Sequence, residues 1–249
     1  MPQLDERVSS HGADAGGMTP MPPGESAQQD LAQYRAALKG MALPQFAGRD
    51  SRPFVVAFEG ANGAGKSTLC RSLAGALGVP SCLGTDAAWF SEPFKARMIR
   101  DAEWYASAMF FLSGCFEQMR LLRGLAAPVV IMDRCLWSTL AVHAAESVAR
   151  LEKLLCMLRP IAIEVQAPDL TIVLDASFAT CQSRIARKAG AARALDELTA
   201  QPAFHAREQE FYRWLAKENS TLLFLDVDQA APGHVAARAL ELIRQKIPC

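Results

Sequence analysis

The chain lacks an excess of charge of either sign, since 26 lysines and arginines stand against 26 aspartates and glutamates. Without a net field nothing draws it as a whole toward nucleic acid or an anionic membrane, so any anion must be recognised by a local site. It lacks paired cysteines as well. The seven, at positions 70, 82, 115, 135, 156, 181 and 249, are odd in number and contain no C-x-x-C, which argues against a disulfide framework and for reduced thiols. No apolar run approaches the ~20 residues that span a bilayer. The first ten residues, MPQLDERVSS, carry no apolar signal core. A soluble, cytoplasmic protein with neither a membrane nor a nucleic-acid partner is the expectation.

What is present is a chain of 249 residues, 51% hydrophobic, enough for one sizeable α/β domain and an appendage. Residues 1–52 are rich in Gly, Pro, Ser and Gln and read as a flexible arm. One short amphipathic helix is expected in it from near Ser26, with Leu31, Tyr34, Leu38 and Met41 at helical spacing and a stop at Gly40. From residue 53 strands alternate with helices. Strands are expected at 54–58, 81–83, 129–132, 170–174 and 222–225, and helices at 66–77, 101–123, 136–158, 177–188, 204–217 and 235–247. Repeated βα units imply a parallel sheet covered by helices on both faces.

The first of these strands runs into Gly60, Ala61, Asn62, Gly63, Ala64, Gly65, Lys66 and Ser67, which satisfies G-x-x-x-x-G-K-[ST] between a strand and a helix. Glycines let the loop curl so that successive N–H groups and the helix amino terminus face an anion. Lys66 then reaches the β and γ phosphates of ATP, Ser67 ligates Mg²⁺, and Thr68 completes the loop's contacts. With background glycine at about 7%, those letters coincide by chance in such a chain about one time in a hundred.

Other strand ends narrow the reading. Asp133 and Arg134 close a β-prone run, where open α/β sheets place their ligands, and a carboxylate beside Mg²⁺ with an arginine on phosphates suits phosphoryl transfer. FEG entering the loop, Asp133-Arg134 followed by Ser138 and Thr139, PDLTIVLD at 168–175 and FHAREQEFYRWLA at 204–216 together resemble the thymidylate kinase family, with deoxynucleoside kinases as nearest relatives. The resemblance covers residues 53–249. It implies a three-layer P-loop kinase fold with a parallel sheet of about five strands, transfer of phosphate from ATP to dTMP with Mg²⁺, and a homodimer.

On the same resemblance, residues 184–200 form a lid, with Arg184 stacking on adenine, Arg187 on the ATP side and Arg193 stabilising the transferred charge. Lys188 and Gly190 belong to it. Glu92-Pro93 matches an acidic-proline element near the acceptor, and Thr139 and His143 stand at base-contacting positions. Several positions depart from the pattern: Ser91 stands for an arginine, Phe94 for a glycine, Val142 for an aromatic residue, and nothing in 102–119 is basic. Those departures favour a nucleoside or another small molecule as acceptor, whereas Asp-Arg in place of Glu-Arg argues against a deoxynucleoside kinase. A third reading is a regulatory nucleotide binder without transfer activity. Asp175 is expected to cap the helix after it, Glu59 to support the loop, Cys135 to pack, and Phe110, Phe111 and Phe116 to belong to the core unless one of them stacks on a base.

Overall fold

The computed structural model describes residues 23–49, 52–84, 92–187 and 199–247. Five strands form one parallel sheet: β1 (Phe54–Glu59), β2 (Ser81–Leu83), β3 (Val129–Asp133), β4 (Leu170–Asp175) and β5 (Leu222–Asp226), in the order β2-β3-β1-β4-β5. Every residue of β1 is buried, which is why its sequence is a continuous apolar run rather than an alternating one. Its side chains divide between two cores. Val55 and Ala57 join a cluster on one face, and Phe54, Val56 and Phe58 join another on the opposite face.

The second face is covered by α2 (Lys66–Leu77), α7 (Phe178–Ala186) and α9 (Pro232–Lys246), through residues such as Leu73, Cys181 and Ala239. The first is covered by α1 (Pro23–Lys39), α4 (Trp104–Leu122), α5 (Leu136–Glu146), α6 (Val148–Leu158) and α8 (Pro202–Glu218). The three layers match expectation. Because β3 and β4 flank β1 and their connections leave in opposite directions, a crevice opens beyond the carboxyl ends of these strands.

Helix boundaries differ from the sequence reading in three informative places. The stretch expected at 136–158 is two helices, because Ser147 is extended at φ −161° and ψ 125° while its N–H still donates to His143 O at 3.0 Å. Nothing in the local sequence marks that break with Gly or Pro. The stretch expected from 101 begins at Trp104 and is preceded by a separate helix, α3 (Glu92–Arg100). Helices α8 and α9 start earlier than expected, at Pro202 and Pro232, since proline is well suited to a first helical turn.

Helix α1 packs against α8. Tyr34 and Leu38 are buried in the same cluster as Phe211 and Leu215, and Arg35 donates to Glu210 at 2.8 Å while Arg207 donates to Asp30 at 2.5 Å. Further on, Arg52 is 4% exposed and donates to Gln166, Asp169 and the Ala167 carbonyl. Residues 23–49 are thus joined to the domain by apolar burial and by hydrogen bonds.

Candidate active site

The crevice holds a cavity of about 1370 Å³, lined at one end by residues 62–68 and at the other by side chains from α3, α4, α5 and α6. The loop's shape follows from its glycines. Gly60, Gly63 and Gly65 have φ of 118°, 87° and 107°, and a Cβ on Gly60 or Gly63 would lie 2.6 Å from Leu174 O or 2.4 Å from Cys181 O. No other residue type meets both demands. Lys66 is 5% exposed, and its Nζ donates to the Gly60 and Ala61 carbonyls at 2.7 Å each. Burial, and secondarily the Arg134 charge, pull its pKa down to about 7, so an incoming anion would restore the charged form.

Asp133 ends β3 and lines the cavity with Ser67. Its Oδ1 is buried without a hydrogen-bond partner among the described residues. An unpaired carboxylate oxygen sharing a cavity with a loop hydroxyl fits Mg²⁺, which takes few protein ligands and completes its shell with phosphate and water oxygens. Arg134 adopts the left-handed conformation at φ 67°, the one non-glycine residue with positive φ among those described. Arg134 Nη1 donates to Ser138 Oγ at 3.0 Å. Gly84 lies beneath, where a Cβ would come 1.9 Å from Arg134 O, so the loop after β2 must carry glycine for Arg134 to turn.

Glu59 does more than support the loop. It is fully buried at the end of β1 and accepts from Cys135 N at 2.7 Å, Cys135 Sγ at 3.0 Å, Ser138 N at 3.2 Å, Tyr212 Oη at 3.0 Å and the Ser138 hydroxyl. Its charge therefore serves the orphan N–H groups at the start of α5 and ties α8 to the strand that carries the loop. Burial and Glu59 push the Cys135 thiol well up, which makes it an inert donor and agrees with a packing role.

Of the residues singled out from sequence, 62–68, Asp133, Arg134, Thr139, His143, Arg184 and Arg187 line this one cavity. Gly60 and Ala61 lie behind it as carbonyl acceptors for Lys66. Arg184 Nη1 donates to Ala64 O at 2.8 Å and Nη2 to Val227 O at 2.7 Å, which clamps the loop from the side of α7. Arg187 Nη2 donates to Ser183 Oγ at 3.0 Å. Glu92 is the first residue of α3. Ser91, Lys188, Gly190 and Arg193 lie outside the described residues. Asp175 is not the cap of α7; Ser177 is, accepting from Thr180 N, with Asp228 accepting from Ser177 N at 2.7 Å. Of the three phenylalanines assigned to the core, Phe111 lines the cavity and Phe116 packs on the core edge, while Phe110 meets the half-exposed Phe94 at a ring distance of 5.2 Å.

The acceptor end contains side chains that no local motif marked: Lys95 from α3, Trp104 from α4 and Arg150 from α6. Lys95 is 8% exposed, and the Arg150 guanidinium lies 5.6 Å from the Trp104 ring centre while pairing with Glu146. The absence of a base in 102–119 thus does not leave this end without cations. His143 is 6% exposed, its Nδ1 has no partner among the described residues, and burial, then Arg150, hold its pKa down at about 4. It is neutral at pH 7 and can offer a base one donor and one acceptor.

That shift makes a stability prediction. Because the folded pKa lies below the ordinary 6.5, the unfolded chain takes up the proton first, so the contribution is intact above pH 6.5 and is lost as pH falls toward 4. Urea unfolding should show about 3 kcal/mol less stability at pH 4 than at pH 7 from this group. His143→Gln should remove that part of the pH dependence; an unaltered dependence in the variant would contradict the assignment.

A sequence model of the deoxynucleoside kinase family matches residues 56–239. A probable thymidylate kinase from Sulfolobus acidocaldarius is 25% identical over 183 residues, covering 71% of this chain and 90% of that protein. Among solved structures, deoxyadenosine kinase from M. mycoides with bound dATP has a TM-score of 0.60 at 16% identity, covering 76% of this chain and 99% of that one. Thymidylate kinase from Candida albicans has a TM-score of 0.58 at 19% identity, covering 79% and 93%. At those identities the two structures speak for the fold alone. The family match shifts the name from thymidylate kinases to their relatives, and the Asp133–Arg134 pair does not exclude that family. The loop, the strand-end pair and the match over residues 56–239 converge on one statement: the chain belongs to the deoxynucleoside kinase family and is a phosphotransferase of nucleoside or nucleotide kinase type.

Proposed function

We propose that the enzyme moves the γ-phosphoryl group of ATP to a deoxynucleoside monophosphate, with dTMP as the first candidate. The observation that carries this reading is that two cations outside the phosphate loop, Lys95 and Arg150, line the same cavity as that loop. Two cations lining one cavity suit an acceptor that carries a phosphate better than a neutral nucleoside. The cavity volume of about 1370 Å³ exceeds what one nucleotide needs.

In this reading residues 60–68 hold the ATP phosphates, and Lys66 leaves the Gly60 and Ala61 carbonyls for the β and γ oxygens. Ser67 and Asp133 would hold Mg²⁺, which would supply neutralisation of phosphate charge. Arg134 serves the group in transfer, a role also assigned to Arg193, while Arg184 and Arg187 serve the donor. Thr139 and His143 orient the acceptor's base, and Glu92 is assigned to acceptor binding. The γ-phosphorus bond to the bridging oxygen breaks as the bond to an acceptor oxygen forms, with no covalent enzyme intermediate. The kinase domain spans 53–249, residues 1–52 form an arm whose helix α1 docks on α8, and a homodimer is the proposed assembly.

A second reading, a deoxynucleoside as acceptor with Glu92 taking the proton from its hydroxyl, is favoured by the family match. Purified protein with ATP and Mg²⁺ should be offered nucleosides and their monophosphates, with ADP release and product identity measured. We expect dTMP to give the highest kcat/KM, and Lys95→Met to raise KM for monophosphates at least about tenfold while sparing any nucleoside activity. Higher kcat/KM for nucleosides, with Lys95→Met silent, establishes the second reading instead. No turnover on any acceptor would remove both.

A further inference from the structure

Residues 23–49 lie outside the stretch that matches the kinase family, yet they are tied to both ends of one helix of the active site. That helix is α5, which carries Thr139 and His143. Near its start, Phe46 meets the fully buried Trp137 edge-on at a ring distance of 5.3 Å. At its end the link runs through α8. Arg207 donates from Nη2 and Nε to Asp30 Oδ2 of α1, at 2.5 and 3.2 Å, and from Nη1 to the Ala145 carbonyl at 3.3 Å. One edge of the guanidinium is thus on the arm and its remaining nitrogen is on α5.

The Ala145 carbonyl is among the last four of α5, which have no further turn of their own helix to serve. A guanidinium there satisfies the oxygen and meets the negative end of the helix dipole. The contact falls where α5 breaks. Glu146 follows Ala145 directly, and its carboxylate pairs with Arg150 across the extended Ser147. Glu146 and Arg150 both line the active-site cavity, and the Arg150 guanidinium lies 5.6 Å from the ring centre of Trp104, which lines it too. Arg207 and Asp30 do not line it. Their ion pair adds little to the fold, because Asp30 is half-exposed and Tyr34 and Leu38 already bury the apolar face of α1.

We propose that Arg207 is a positioning residue for the phosphate acceptor, held by Asp30 of the arm, so that the docked α1 fixes the α5–α6 junction that supplies Glu146 and Arg150 to the cavity. Neither residue touches a substrate. A junction set in advance reduces the ordering that acceptor binding must supply, which lowers KM for the acceptor and leaves ATP binding alone. The inference rests on the reading of Arg150 and His143 as acceptor-side residues, and its test separates the two.

ADP release by the full chain should be compared with that of Arg207→Met, Arg207→Lys, Asp30→Ala and the Asp30→Ala/Arg207→Met double variant, giving kcat, KM for the acceptor turned over fastest, KM for ATP and thermal melting. Arg207→Met should raise the acceptor KM about fivefold or more, with KM for ATP moved less than about twofold. Asp30→Ala should raise it about two- to threefold with little change in melting. The double variant should match Arg207→Met, since the carboxylate acts only through the arginine. Arg207→Lys should rescue little, because an ammonium lacks the planar fork that reaches α1 and α5 together. An unchanged acceptor KM in Arg207→Met, or an equal rise in both KM values, overturns the inference and leaves the proposed function standing. A silent Asp30→Ala overturns it as well, because the arm would then not be what holds Arg207. If the wild type turns over no acceptor, the proposed function falls and this inference falls with it.

Discussion

Lys66→Ala should lower kcat by about a thousandfold or more, the range seen when a preorganised cation is removed from the phosphates of a transferring group. Lys66 is already inside the loop, with Nζ 2.7 Å from the Gly60 and Ala61 carbonyls, so ATP binding only exchanges two carbonyl acceptors for phosphate oxygens. Desolvation is complete before the nucleotide arrives. The variant should fold, since the ammonium costs more to bury than its two bonds return, and circular dichroism melting should show no loss. ADP release measures the rate and calorimetry the affinity; unchanged ATP affinity in Lys66→Ala would contradict the loop assignment itself. A second signature follows from the pKa of about 7, set first by burial and then by Arg134. Above pH 7 a growing share of the free protein carries neutral Lys66, so binding a polyphosphate takes up a proton, and the heat of binding should change with the buffer's ionisation enthalpy. Lys66→Ala should abolish that dependence.

What could be read from sequence was local, and what could not was assembled across distance. The loop at 60–67 carries its own geometry, because three glycines with positive φ, a lysine and a hydroxyl are consecutive or nearly so. Strand β1 announced itself as an apolar run because both its faces are covered. The acceptor end has no such signature. Lys95, Trp104 and Arg150 come from three helices, and each has an ordinary sequence neighbourhood; only the crossing of α3, α4 and α6 makes them one surface. Glu59 was underread for the same reason. Its partners Cys135 and Tyr212 lie 76 and 153 residues away, so a carboxylate that organises α5 and α8 looked like an accessory of the loop beside it. Gly84 was silent because its requirement is space beneath Arg134 and not an unusual φ. The break at Ser147 left no trace because serine is tolerated inside a helix and is also at home in the extended conformation that precedes one.

The importance of Glu59 gives the largest expected stability effect. Glu59→Ala removes the acceptor for the Cys135 and Ser138 N–H groups and for the hydroxyls of Ser138 and Tyr212 in one step, all of them in the core. Each donor left unpaired costs about 1–3 kcal/mol. Relaxation and water entry reduce the sum, so about 3–5 kcal/mol is expected, comparable with breaking a buried charged pair. Against a total of about 5–15 kcal/mol that is a large share, and the melting temperature should fall by about 10 °C in a chain of this size. Glu59→Gln separates charge from shape. It keeps one acceptor oxygen and turns the other into a donor that faces donors, so its loss should lie between alanine and wild type. Urea unfolding with an unchanged slope is the measurement, and a loss below about 1 kcal/mol for Glu59→Ala would show that the network is not the element joining β1, α5 and α8. Activity should follow for a separate reason. The start of α5 fixes the turn that holds Asp133 and Arg134, so molecules of Glu59→Gln that remain folded should still transfer phosphate more slowly, and the deficit should appear in kcat before it appears in KM for ATP.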